Sequence, residues 1–137
     1  MNRRDLQTLA GIRLDEAKAL LSAGLPDGAY YLAGYAVECA LKACIARRTQ
    51  RHDFPEKKSV DASYTHNLKE LTKAAKLETE LSQEAAKYAA FRNNWDLVAK
   101  WSEQSRYQAN GSEMARALVE AINDRKHGVM LWVKRYW

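Results

Sequence analysis

The sequence predicts an all-α protein, an antiparallel up-and-down bundle of four to five helices in a single domain over residues 1–137. Three observations carry this. Apolar residues recur every three or four positions in several long windows. Two prolines and six glycines punctuate the whole chain, which favours long helices with short connections between antiparallel neighbours. No stretch has the alternation or the β-branched density of a strand. A chain of this length buries about two-thirds of its surface on folding, enough for a core without disulfide or metal staples.

The first helix is expected from about Arg3 to Ser22, with Leu6, Leu9, Ala10, Ala17, Leu20 and Leu21 as its stripe and Gly24 as its stop. Leu25-Pro26-Asp27 is a short turn in which Asp27 or its neighbour caps a second helix running to about Arg47. That helix has two faces. Ala29, Ala33, Ala36, Val37, Ala40, Leu41 and Cys44 form an apolar side that permits close packing. Tyr31, Tyr35, Glu38 and Lys42 follow at i, i+4, i+7 and i+11 on the other side. Residues 49–65 lack periodicity and read as the long loop of the domain. A short helix follows from His66 or Asn67 to about Ala75, with Leu68 and Leu71 inward. Ser82 or its neighbour opens another, whose Ala85, Ala89 and Phe91 or Arg92 approach the core; Asn93-Asn94-Trp95 ends or distorts it. Trp101 to Asn110 is an irregular polar and aromatic connection. Ser112 then caps a last helix extending to about Arg135, with Met114, Ala117, Leu118, Ala121, Ile122, Val129, Trp132 and Val133 as its stripe.

Composition narrows the chemistry. Net charge is +5, which suits nucleotide, nucleic-acid or acidic-protein partners as well as a plain solvated surface. Cys39 and Cys44, the two cysteines, point about 140° apart on one helix and cannot pair with each other. They make neither a disulfide framework nor a zinc site, so a reducing cytoplasm is expected. No signal peptide and no membrane-spanning run is read.

Enzyme signals are thin. There is no Gly-rich phosphate loop, no Gly-x-Ser-x-Gly and no His-Glu-x-x-His, and no metal or cofactor is expected. His52, His66 and His127 are dispersed, and His66 reads as a cap or turn residue. Trp101, Arg106 and Tyr107 place an indole, a guanidinium and a phenol in one connection. They can plug the bundle end, with Arg106 paired to a carboxylate, or meet a phosphate and a base. Tyr31, Tyr35, Glu38 and Lys42 carry three readings: packing that includes an i,i+4 Glu38–Lys42 pair, a self-complementary dimer face, or a ligand contact. Arg47, Arg48, Arg51, His52, Lys57 and Lys58 concentrate positive charge, and Trp132 to Trp137 interleaves aromatic and basic residues. The first reads as a solvated rim that draws in anions; the second docks on its own bundle or presents a stacking surface for nucleic acid.

The chain resembles the HEPN domain, the higher eukaryote and prokaryote nucleotide-binding family of helical proteins. Four segments carry the resemblance in order: Arg13 to Leu21, the unbroken stretch Tyr30 to Ala43, His66-Asn67-Leu68 with Leu71, and Trp95, Trp101 and Arg106-Tyr107. The second is the specific one. The resemblance implies a helical bundle, often dimeric, in toxin–antitoxin or defence contexts and commonly beside a small nucleotidyltransferase. Many members are metal-independent ribonucleases that use an Arg, usually followed by a polar residue, and then a His four to six residues beyond that one, the His to move protons and the Arg to stabilise phosphorane-like charge. Arg92-Asn93 resembles the front of that pattern, but Leu97, Val98 and Ala99 stand where its His would be. Arg47 and His52 match the spacing by letters, outside the helix that carries the motif.

The expectation is therefore the branch lacking the catalytic Arg…His motif: a non-catalytic module binding a nucleotide or RNA, or a nucleotidyltransferase, as a cytoplasmic homodimer. Its ligand contacts are expected among Tyr31, Tyr35, Glu38, Lys42, Arg92, Trp95, Trp101, Arg106 and Tyr107. The alternatives are a metal-independent ribonuclease with an atypical site and a structural antitoxin-like dimer.

Overall fold

A computed structural model describes residues 1–49, 54 and 57–137. Those residues form eight α-helices and one 3₁₀ turn, with no strand among them. Helix α1 spans Arg3–Ser22. It opens on a reciprocal cap in which the Asp5 amide donates to Asn2 Oδ1 at 2.9 Å and the Asn2 amide to Asp5 Oδ2 at 3.1 Å. It closes at Gly24, whose φ of +76° an L side chain rarely adopts. Helix α2, Pro26–Arg48, starts with Pro in its first turn and no side-chain cap. Asp27 does not cap it, contrary to expectation; its carboxylate accepts the Asn110 amide at 2.5 Å instead. That bond ties the start of α2 to the connection before the last helices.

Helix α2 is the axis of the molecule. It packs on α1, on α7 (Ser112–Asn123), on α4 (Leu68–Ala74), on α8 (Val129–Val133) and on the 3₁₀ turn Glu103–Tyr107. The two faces of α2 therefore differ less in exposure than their sequence suggests. Its alanine side is buried, but the opposite side is covered too, and Glu38 is 2% exposed.

The remaining elements contain more breaks than four to five helices allow. Part of the long loop is helical, α3 at Lys57–Ala62; Arg51, His52 and Pro55 lie outside the described residues. Helix α5 runs Glu78–Lys87, four residues earlier than Ser82, and α6 runs Ala89–Ala99 straight through Asn93-Asn94-Trp95. The break falls at Tyr88 because Phe91, Trp95 and Val98 keep one helical face in the core. Asn94 does not compete for its own backbone: its amide donates to the His127 carbonyl at 3.0 Å.

The last helix is also two. After α7 the backbone extends at Asp124, whose carboxylate accepts the His127 amide at 2.7 Å, and α8 begins at Val129. Gly128 sits in that turn with no room for a Cβ against the backbone of Ile122 and Asp124. Gly111, not Ser112, occupies the cap position of α7, and Met114 is exposed rather than in the stripe. Where α6 and α8 meet, Trp132 packs against Phe91 with tilted rings and against Tyr136 edge to face, both at 5.4 Å centroid spacing.

Candidate functional site

The polar row of α2 gathers most of the side chains singled out from sequence. The Tyr31 and Tyr35 rings stack with centroids 6.1 Å apart, and Tyr31 stacks on Trp101 at 6.2 Å. Trp101 reaches this place because residue 34 is glycine: its indole lies on the Gly34 Cα, where any Cβ would overlap the ring. Trp101 is buried and belongs to the core, its ring held between Gly34 and Tyr31.

The 3₁₀ turn that follows is started by Ser102, whose hydroxyl accepts the Gln104 amide at 3.0 Å. It presents Glu103, Arg106 and Tyr107 beside the α2 row. The Arg106 guanidinium lies over the Tyr107 ring, 4.8 Å from its centroid. The neighbouring Tyr107 phenol raises the Arg106 guanidinium further above its ordinary value. Among the described residues it makes no ion pair. Tyr107 is 74% exposed.

The sequence reading missed His66. Its Nδ1 donates to Glu38 Oε1 at 2.6 Å, and its Nε2 lies 3.3 Å from Glu103 Oε2. The imidazole thus bridges a buried carboxylate on α2 and a half-buried one on the 3₁₀ turn. His66 is free to do so because Asn67 caps α4, taking the Glu70 amide on its Oδ1 at 3.1 Å. The expected Glu38–Lys42 pair does not form. Lys42 instead lines a cavity of about 480 Å³ between α1, α2 and α3, together with Tyr35, Glu38, Cys39 and Tyr64. Cys39 is no reactive thiol: burial, helped by the Glu38 charge, pushes it up to about 11. Burial also raises the Tyr35 phenol, with Cys39 and Glu38 adding to it.

Arg92 and Trp95 stand apart from this row. Arg92 is on the exposed side of α6, and Trp95 is buried in the core. His127 reaches the start of α6, its ring 4.7 Å from that of Tyr88. The Arg47–His52 spacing cannot be placed, since His52 lies outside the described residues.

The assembled surface is a helical face with stacked phenols, two cations and an oriented histidine. A family model of the HEPN domain matches residues 4–136, nearly the whole chain. The chain belongs to the HEPN domain family. No curated protein and no solved structure matches it significantly. Membership makes this HEPN chain, at a coarse level, a nucleotide- or RNA-related module. No helix among the described residues is long and apolar enough to cross a membrane.

Proposed function

We propose that this HEPN chain is a non-catalytic binding module that takes an anionic nucleotide on the polar face of α2. The observation that carries the proposal is the Arg106–Tyr107 pair standing over Tyr31. A guanidinium without an ion-pair partner among the described residues adjoins an open aromatic face. Guanidinium matches phosphate as a fork, and an exposed phenol stacks on a base. The burial of Trp95 and Trp101 favours Tyr107 as the stacking plate. Lys42 and the cavity beneath Tyr35 extend the same face.

The test is a thermal-shift screen of nucleoside mono-, di- and triphosphates, followed by affinity measurements. Arg106→Ala and Tyr107→Ala should weaken binding, the latter by the roughly 1–3 kcal/mol of a lost stack, without lowering the ligand-free Tm. A ligand-free Tm loss in Arg106→Ala would make that residue structural. The family resemblance further supports a homodimer and a small nucleotidyltransferase partner in a toxin–antitoxin or defence setting. Sedimentation at micromolar concentration tests the first and co-purification with such an enzyme the second.

One observation favours a second reading, a metal-independent ribonuclease with an atypical site. His66 is oriented by a buried carboxylate, lies 3.3 Å from Glu103 and sits beside the turn bearing Arg106. Glu103 would take the proton of a 2′-hydroxyl as its oxygen attacks phosphorus. Protonated His66 would give a proton to the departing 5′-oxygen, leaving a 2′,3′-cyclic phosphate and a 5′-hydroxyl. RNA cleavage in chelator that vanishes in His66→Ala would establish it; absence of cleavage by wild type removes it.

A further inference from the structure

Two basic segments that are remote in sequence meet at the far end of α2. Arg47 and Arg48 form its last turn. Lys134, Arg135 and Tyr136 follow α8, and the Cys44 thiol, donating to the Val133 carbonyl at 3.7 Å, holds the end of α8 against α2. Arg47, Arg48, Arg135 and Tyr136 line one cavity of about 450 Å³. This end lies about 24 Å along α2 from Tyr31, by a 1.5 Å rise per residue, so it is not part of the nucleotide face.

Basic residues in a last helical turn complement the helix dipole, which accounts for Arg47 and Arg48 alone. It does not account for Arg135 arriving at the same cavity from another element, with Lys134 next to it in sequence. Among the described residues, only Arg135 of the four has a carboxylate within ion-pair distance, Glu84 at 3.0 Å. Arg3 is engaged elsewhere, donating to the Trp137 carbonyl at 2.5 Å. Lys134 lies over the Trp137 ring at 5.4 Å, and Tyr136 stands at the cavity wall. One small anion needs one fork. Several guanidiniums from two elements around one cavity suit successive phosphates.

We propose that this end of the bundle binds the phosphate backbone of single-stranded nucleic acid, independently of the α2 nucleotide face. The experiment is fluorescence anisotropy of a labelled single-stranded RNA with the full chain over a range of salt concentrations. The expected result is binding that weakens with salt. The double variant Arg47→Glu/Arg48→Glu should lose about tenfold or more in affinity and flatten the log–log salt slope by about 0.7 per contact removed. Its Tm should fall by only a few degrees, since both side chains are exposed and what is lost is their complement to the helix dipole. Arg125→Glu/Lys126→Glu, equal in charge and equally exposed, should bind nearly as wild type. Three results would overturn the proposal: no salt-dependent RNA binding by wild type, equal loss in the charge-matched control, or polyglutamate competing as well as RNA. The last would assign the surface to an acidic peptide.

Discussion

Glu38 is a carboxylate taken out of water in the middle of a helix bundle, and one imidazole makes that tolerable. A buried charge costs several kcal/mol unless it is paired. His66→Ala should therefore destabilise the fold by about 1–3 kcal/mol, the penalty of a buried polar group left unsatisfied. Glu103→Ala, at the exposed side of the same imidazole, should cost less than about 1 kcal/mol. Urea melts of the two variants check this, and equal losses would mean that Glu38 does not depend on His66. The pair was illegible in the sequence for a physical reason. Its members are 28 residues apart, while Lys42 offered Glu38 a partner one helical turn away. The phenols were legible because their spacing on α2 is local. Gly34 makes a second case. Gly34→Ala places a Cβ into the Trp101 indole, so the ring or the helix must move. A loss of about 1–3 kcal/mol or more is expected, with Trp101 emission shifted to the red as its contacts loosen.

At the scale of elements, α2 sets the spacing of its neighbours through alanine. Ala36 and Ala40 are fully buried, and α1 and α7 both pack against this helix. Ala36→Leu or Ala40→Leu should overpack the seam and cost roughly 1–3 kcal/mol in a denaturant melt; unchanged stability would show that the helices can separate freely. The extents of α1 and α2 could be read because Gly24 and Pro26 mark their shared turn. The break between α7 and α8 could not. Ile122 and Val129 are seven residues apart, two helical turns by count, so the apolar stripe stays in phase while the backbone unwinds between them. Periodicity does not distinguish a turn of that length from continuous helix. The same blindness, in reverse, made Asn93-Asn94 look like a stop, although Asn94 is anchored on His127.

At the scale of the whole molecule, folding holds two thiols protonated. Burial pushes Cys44 up to about 12 and, with the Glu38 charge, Cys39 up to about 11, from an ordinary value of 9.0. The unfolded chain therefore releases these protons first. The stabilisation is fully present below pH 9.0 and is lost as pH rises through the folded-state values. Each thiol lowers stability by up to about 1.4 kcal/mol per pH unit in that window. The Tm should fall steeply above about pH 9, and Cys44→Ala should make the fall shallower. Tyr30 and Tyr35, also raised by burial, preserve some of the slope. At pH 8 both thiols should resist a disulfide-exchange reagent until denaturant is added; prompt labelling of the native protein would contradict their burial.

Because α2 is buried along its alanine side and half-buried along its polar side, its tolerance to substitution should have little stripe. From Gly28 to Ala46 no residue is exposed. A saturation scan scored by yield of folded protein should therefore show one continuous intolerant band across these positions. In α1 and α7, where exposed residues interrupt the buried ones, the same scan should oscillate with the helical period. The chain thus carries its longest unbroken run of mutational fragility in α2, and drift in sequence is freest at the exposed positions of the other helices.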